Sequence, residues 1–94
     1  MRKYEVMYIL RPDLDQEAVQ AAIERFQGVI NNGGEITNQE VMGKRRLAYE
    51  IQKYRDGIYV VVNFNATAET VAELERVLRI SDEVIRFLIV KDVA

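Results

Sequence analysis

Two kinds of hydrophobic repeat alternate along this chain, and their order constrains the fold more than any other feature of the sequence. Apolar residues recur at every second position, as in strands with one buried face, in four stretches: Arg2 to Leu10, Glu35 to Ile51, Ile58 to Asn65 and Val84 to Lys91. The second stretch is polar and irregular up to Met42. Between the first and second strands, and between the third and fourth, apolar residues instead recur every three or four positions, which is typical of amphipathic helices. The predicted order is therefore β-α-β-β-α-β.

Capping and turn signals support these boundaries. Asp13 or Asp15 can cap the first helix through its carboxylate, and Thr67 is the predicted N-cap of the second. The dipeptide Asp56-Gly57 is the strongest turn signal in the chain and predicts a turn over Lys53 to Gly57. The second and third strands should therefore form a hairpin.

This order predicts an α+β fold. Two of the connections are long enough for helical crossovers and one is a tight hairpin, which is the ferredoxin-like arrangement of four antiparallel strands with both helices on one face. A chain of 94 residues has room for one modest core. We therefore expect a single ferredoxin-like domain over residues 1–94.

The composition excludes several classes of function. The chain has no cysteine and no histidine, so disulfides, thiolate chemistry and the usual general bases are missing. It has no ligand cluster at metal spacing and no apolar run near the ~20 residues that span a bilayer. We expect a soluble cytoplasmic protein that is not an enzyme and has no catalytic residue, metal or cofactor.

An acylphosphatase is the enzyme that this topology invites for comparison, because Arg11 follows the first strand and Asn63 lies on the third. A phosphate loop needs glycines that present backbone N–H groups. Here Pro12, Asp13 and Asp15 occupy that loop, where they withhold a donor and repel an anion. The loop therefore argues against phosphate chemistry.

Strand parity predicts an apolar surface on the sheet face that the helices leave uncovered. Six apolar side chains should share it: Met7, Ile9, Tyr59, Val61, Leu88 and Val90. Parity places four cations around them: Lys3, Lys44, Arg46 and Arg86. So much contiguous apolar surface predicts a partner, with phosphate contacts at the rim. A homodimer through the same face is an alternative that the residues alone leave open.

The stretch from Gly43 to Ile51 joins three consecutive cations to an alternating strand: Gly-Lys-Arg-Arg-Leu-Ala-Tyr-Glu-Ile. Leu47, Tyr49 and Ile51 should point to one face, while Lys44 and Arg46 point to the other with Ala48 and Glu50. Gly43 predicts a bulge or a close backbone approach, since glycine tolerates backbone conformations that other residues do not. The net charge of −2 means that any nucleic-acid contact must rely on such local cation density.

That stretch closely resembles the signature of the bacterial small-subunit ribosomal protein six (S-six) family. Three further segments resemble the family in the same order: Met-Arg-Lys-Tyr-Glu-Val-Met-Tyr-Ile-Leu-Arg-Pro at the start, Tyr-Arg-Asp-Gly-Ile-Tyr at the third strand, and Leu-Arg-Ile-Ser-Asp-Glu-Val-Ile-Arg near the end. The resemblance covers nearly the whole chain. It implies a ribosome-associated protein of the small subunit.

The resemblance also implies partners. Members of this family pair with small-subunit ribosomal protein eighteen, and the pair binds the central domain of small-subunit ribosomal RNA during assembly. The implied RNA-binding residues are Arg2, Lys3, Lys44, Arg45, Arg46, Arg79, Arg86 and Lys91. The apolar face would take the protein partner, and the chain alone should be a monomer.

Two other binding modules share the predicted topology. A self-associating regulatory module would use the apolar face to form a stable dimer. An RNA-recognition motif would stack bases on sheet aromatics, but Tyr59 is the only aromatic residue that parity places on the uncovered face. Two or more aromatic rings lying flat on that face would favour the second alternative.

Overall fold

The computed structural model describes residues 1–91 and contains six elements in the predicted order. They are β1 (Arg2–Leu10), α1 (Gln16–Asn31), β2 (Gly34–Ile51), β3 (Tyr54–Ala66), α2 (Ala68–Ile80) and β4 (Val84–Lys91). The strands pair antiparallel in the order β2-β3-β1-β4. This confirms the ferredoxin-like α+β arrangement. The prediction of one domain over residues 1–94 includes residues 92–94, which lie outside the described part.

The main core lies between the sheet and the two helices. Alternate residues of β1 and β3 contribute to it because successive side chains of a strand point to opposite faces. The buried strand residues are Tyr4, Val6, Tyr8, Leu10, Val60, Val62, Phe64 and Ala66, and the buried helix residues are Ala22, Ile23, Phe26, Ile30, Leu74 and Leu78. Both helices therefore cover the same face of the sheet, and within residues 1–91 no helix lies on the opposite face.

Side-chain caps fix where both helices begin. Asp15 accepts a hydrogen bond from the backbone N–H of Ala18 at 2.8 Å, and Thr67 accepts one from Thr70 at 3.3 Å. Of the two candidate aspartates, Asp15 is thus the N-cap, while Asp13 lies 3.9 Å from Arg11. Each cap satisfies one of the backbone donors that a helix leaves unpaired at its first turn.

The turn between β2 and β3 lies at Gln52 and Lys53. The prediction that Asp56-Gly57 forms this turn is therefore wrong. Both residues have positive φ, 50° and 71°, and Ile51 pairs directly with Tyr54 across a two-residue loop. Gly57 is needed inside β3 for another reason, because a Cβ there would lie 2.2 Å from Cγ2 of Ile9. The turn dipeptide therefore marks a close approach within the sheet.

The turn lies earlier in the sequence than predicted, and β2 and β3 pair with each other beyond the end of β1 at Leu10. We call residues 45–56 the hairpin arm. The register shifts between Val41 and Gly43, and Gly43 has φ +83°, which confirms the predicted bulge. The bulge leaves Met42 unpaired and so changes the parity of β2 before the arm begins.

The side chains of the signature stretch, Gly43 to Ile51, point to the sheet faces opposite to those predicted. Arg45 pairs with Gly57, which lies on the face without helices, whereas Lys44 pairs with Ile58, which packs against the main core. Cross-strand partners carry their side chains on the same face. Placing Lys44 and Arg46 on the uncovered face was therefore wrong, since Arg45 is the cation of the triplet that points there.

Within residues 1–91, neither helix has the length and apolar character needed to cross a membrane.

Candidate nucleic-acid and partner interface

The sheet face without helices exposes an apolar surface that is smaller than predicted. Leu88 is 56% exposed and Val90 is 41% exposed. Met7, Tyr59 and Val61 are partly buried beside them. We call these five residues the apolar patch.

Ile9 does not contribute to this surface, so its predicted exposure to a partner was wrong. It is only 3% exposed and forms a second buried cluster with Leu47 and Ile85. The hairpin arm causes this burial, because the arm carries Leu47 onto Ile9, and Tyr54 and Tyr59 pack around the pair. One end of the face is therefore covered by the chain itself.

Two carboxylates share the face with the apolar patch. Glu5 lies between Asn63 of β3 and Val90 of β4 in the register, and Glu40 pairs with Val61. Parity places both side chains beside apolar neighbours on the uncovered face. The sequence analysis did not place Glu40 on this face. β2 has a register shift on each side of Glu40, so simple alternation along the strand does not give the face of its side chain.

The eight predicted RNA-binding cations lie mainly in two groups at opposite ends of the sheet. At one end, Lys3 pairs with Asn65 and Lys91 with Tyr4, and Arg2 is adjacent. At the other end, Arg86 pairs with Ile9 and hydrogen-bonds Tyr49 of the arm, and the signature triplet lies at the base of that arm. The rise of β1 from Lys3 to Ile9 separates the two groups by about 20 Å. The predicted single rim of Lys3, Lys44, Arg46 and Arg86 is therefore wrong.

Arg79 lies near the second group but differs from the other predicted cations. It belongs to the last turn of α2, where it forms an ion pair with Glu75 one helical turn earlier. It lines an open groove with Arg86 and Gln52. Its charge is therefore partly neutralised within the chain.

Five of the predicted cations differ from the arginines that form ion pairs with carboxylates. Arg11, Arg25, Arg55, Arg76 and Arg79 each have a carboxylate oxygen within 4.0 Å. Over the described residues 1–91, no such ion pair forms at five of the predicted cations: Arg2, Lys3, Lys44, Arg45 and Arg46. These cations therefore keep their charge available for phosphates.

The ion pairs on the helical side also shift carboxylate pKa values. The Arg25 guanidinium, 3.0 Å from Glu83, lowers the pKa of that carboxyl through a hydrogen bond, aided by a backbone hydrogen bond. The pKa of Glu73 is lowered chiefly by its hydrogen bond from Arg76. Both carboxylates thus stay ionised to lower pH than a free glutamate, and each is balanced by its arginine.

Tyr49 is a second aromatic residue on the uncovered face, and the sequence prediction missed it. Its ring is 60% exposed, and its hydroxyl accepts a hydrogen bond from Arg86 of β4. The sequence analysis grouped Tyr49 with the residues expected to face the core. Strand parity shows which residues share a face, but not which face of the arm packs against the sheet. Together with Leu47, Glu50, Arg46 and Arg55 it lines a groove of about 290 Å³ on the arm.

The described residues do not bring together the groups that catalysis would require. Arg11 follows the last residue of β1, whereas Asn63 pairs with Glu5 near the other end of that strand. These two residues of the acylphosphatase comparison are therefore separated by about 20 Å. Within residues 1–91, no cluster of three or more acidic, histidine or cysteine residues is arranged to hold a metal ion.

Comparison with known proteins identifies close relatives over nearly the whole chain. Residues 3–91 match the family described as ribosomal protein S6. The small ribosomal subunit protein bS6 of Carboxydothermus hydrogenoformans is 56% identical over 93 residues, which cover 98% of this chain and 97% of that protein. The bS6 protein of Halalkalibacterium halodurans is also 56% identical over 93 residues, covering 98% of both chains.

A solved structure has the same fold. The crystal structure of 30S ribosomal protein S6 from Thermotoga maritima superposes with a TM-score of 0.91 at 35% sequence identity. The match covers 96% of this chain and 86% of that one.

Proposed function

This chain belongs to the ribosomal protein S6 family, and from that premise we propose that it binds the central domain of small-subunit ribosomal RNA together with small-subunit ribosomal protein eighteen during assembly. As a family member it is a structural protein of the small ribosomal subunit, found with the ribosome in the cytoplasm, and it is not an enzyme.

The exposed apolar patch is the observation that carries the proposal. Leu88 and Val90 are half exposed on a sheet face that no helix of the described chain covers. Contiguous apolar surface of this kind marks a protein contact. Glu5 and Glu40 lie beside it, so a basic partner fits this part of the face better than an acidic one.

The charge distribution supports joint binding of RNA. The chain has a net charge of −2, and its helical side keeps ionised carboxylates. Phosphate binding depends on local cations, and here the unpaired cations form two separate groups. A basic partner on the apolar patch would lie between them and join them into one positive surface.

The residues fall into two proposed sets. The partner-binding set consists of Met7, Tyr59, Val61, Leu88 and Val90, without the buried Ile9. The RNA-binding set consists of Arg2, Lys3, Lys44, Arg45, Arg46, Arg86 and Lys91, and Arg79 has a lesser role because of its ion pair with Glu75.

A binding experiment with purified components tests the proposal. The chain, small-subunit ribosomal protein eighteen and a central-domain RNA fragment are mixed singly, in pairs and together, and complexes are measured by titration at moderate salt. We expect the two proteins together to bind the RNA much more tightly than either alone. Equal RNA affinity with and without the partner would contradict joint binding.

A substitution at the apolar patch tests where the partner binds. Leu88→Lys places a cation in the contact with a basic partner and should weaken the protein pair at least about tenfold, because a buried unpaired charge costs well over 1 kcal/mol. Val41→Lys is the matched control, since Val41 is 50% exposed but pairs with Val60 on the helical side. Equal effects of the two substitutions on pairing would contradict the assignment of the patch.

Sedimentation of the chain alone tests the competing homodimer. The carboxylates of Glu5 and Glu40 would repel their copies across such an interface. We therefore expect a monomer, and a stable dimer that Leu88→Lys dissociates would favour self-association instead.

A further inference from the structure

A cleft of about 210 Å³ opens on the uncovered face where the hairpin arm meets the sheet. Buried Ile9 and Leu47 form its apolar floor, Tyr49 lines it on the arm side, and Arg86 lies at its rim. Met7 and Tyr59 line its other side, where the cleft borders the apolar patch. We call it the tyrosine cleft. Its aromatic and apolar lining with one charged donor is typical of a site that takes a flat, partly polar group.

The geometry of Tyr49 leaves its ring available within this cleft. The Arg86 guanidinium carbon lies 5.9 Å from the ring centroid, while a guanidinium nitrogen hydrogen-bonds the phenolic oxygen. Because the guanidinium contacts the hydroxyl and its carbon is 5.9 Å from the ring centroid, Arg86 lies beyond the hydroxyl edge of the ring. The faces of the ring are therefore not covered by Arg86, which agrees with its 60% exposure.

The charges around the cleft favour RNA over a basic protein. Arg86 lies at its rim, Arg45 lies on the same face, and Arg46 lines the neighbouring groove beside Tyr49 together with the Arg55–Glu50 ion pair. A basic partner protein would be repelled here, whereas Glu5 and Glu40 attract it at the apolar patch. Single-stranded RNA combines a phosphate chain for the cations with bases that stack on aromatic rings.

We propose that the tyrosine cleft binds one unstacked nucleobase of the RNA. The base stacks on Tyr49 beside Tyr59, and the remaining N–H groups of Arg86 donate to an acceptor edge such as that of guanine or uracil. Arg45 and Arg46 then contact the flanking phosphates. This proposal rests on the proposed RNA-binding function and adds to it a site for a single base.

Replacing the exposed tyrosine tests the cleft. The affinity of the chain, with its protein partner, for central-domain RNA is measured for Tyr49→Leu at several salt concentrations. Loss of one base stack should weaken RNA binding roughly 5- to 150-fold. The dependence of affinity on salt should stay unchanged, because the substitution removes no charge.

Two further variants separate stacking from other effects. Tyr49→Phe keeps the ring and should retain RNA affinity within about threefold, since the stacking face is preserved. Tyr54→Leu removes another tyrosine of the arm that packs on the second cluster without lining the cleft, and it should leave affinity unchanged. Photocrosslinking with 5-iodouridine in the RNA should give adducts at Tyr49 or Tyr59.

These measurements distinguish RNA from a protein as the occupant of the tyrosine cleft. If the wild-type pair binds RNA and Tyr49→Leu binds equally well, the cleft proposal fails while the proposed function stands. If Tyr49→Leu weakens the protein pair without RNA, or changes sedimentation of the chain alone, then a protein occupies the cleft and the proposal also fails. If the wild-type pair does not bind the RNA, both proposals fail.

Discussion

Tyr8 is the residue at which burial and polarity conflict most clearly. Its ring is 1% exposed and meets Phe26 edge to face, with 5.0 Å between centroids and 74° between planes. Its hydroxyl is buried without a hydrogen-bond partner among the described residues. Burial disfavours the phenolate and raises the pKa of Tyr8 well above its usual value. The aromatic ring therefore stabilises the core, whereas the hydroxyl does not.

Tyr8→Phe removes this unpaired hydroxyl and keeps the ring. We expect the free energy of unfolding at pH 7 to stay equal or rise by up to about 1 kcal/mol, measured by urea denaturation. In the wild type the unfolded chain loses the Tyr8 proton above about pH 10 while the folded chain keeps it, so stability falls as the pH rises further. The variant should lack this part of the alkaline loss.

A matched variant separates the ring from the hydroxyl. Tyr8→Leu also removes the hydroxyl, but it loses the contact with Phe26 and should lower the free energy of unfolding by about 2 kcal/mol. A loss above about 1 kcal/mol in Tyr8→Phe itself would contradict the absence of a hydrogen bond.

At the scale of elements, the hairpin arm determines the shape of the interface. Its length follows from the turn at Gln52 and Lys53, where the chain adopts the two positive φ angles of a type I′ turn without glycine or asparagine. The arm then carries Leu47 onto Ile9 and Tyr49 toward Arg86. Packing of Leu47 in the second cluster offsets the unfavourable turn.

Placing the preferred turn residues in this loop should stabilise the arm. Gln52→Asn combined with Lys53→Gly relieves the positive φ angles and should raise the free energy of unfolding by about 1 kcal/mol in urea denaturation. Asp56→Gly is the control, because glycine inside β3 should lower stability by about 1 kcal/mol. Stabilisation by Asp56→Gly would instead support a turn at the position indicated by the sequence.

At the scale of the whole molecule, the cations are separated into two groups about 20 Å apart along β1. This distance exceeds the Debye length of about 8 Å at physiological salt, so the groups interact weakly with each other. Each group should therefore contact its own phosphates, and their contributions to RNA binding should be independent.

The salt dependence of RNA binding tests this independence. Arg2→Ala with Lys3→Ala, and separately Arg45→Ala with Arg46→Ala, should each reduce the slope of log affinity against log salt by about 1.5. The four substitutions together should reduce it by about 3, because distant sites add. Affinity is measured for the chain with its protein partner.

The control for this experiment removes the same charge from the helical side. Arg25 and Arg76 pair with Glu83 and Glu73, so Arg25→Ala with Arg76→Ala should leave the slope unchanged. An equal fall in this control would mean that net charge, rather than the two groups, determines RNA binding.

The sequence by itself determined the elements and their order. Apolar period, the cap residues Asp15 and Thr67, and the bulge at Gly43 are local features, so each could be predicted from neighbouring residues. The resemblance of four segments to one family indicated the correct family without any structure.

Only the tertiary structure decided on which face of the sheet each side chain lies. Strand parity shows which residues share a face, but the face on which Leu47 and Tyr49 lie depends on how the arm packs beyond the bulge. Ile9 is buried and Lys3 is separated from the signature triplet because of contacts between residues far apart in sequence. Such contacts depend on the register and bending of the whole sheet, which no local pattern encodes.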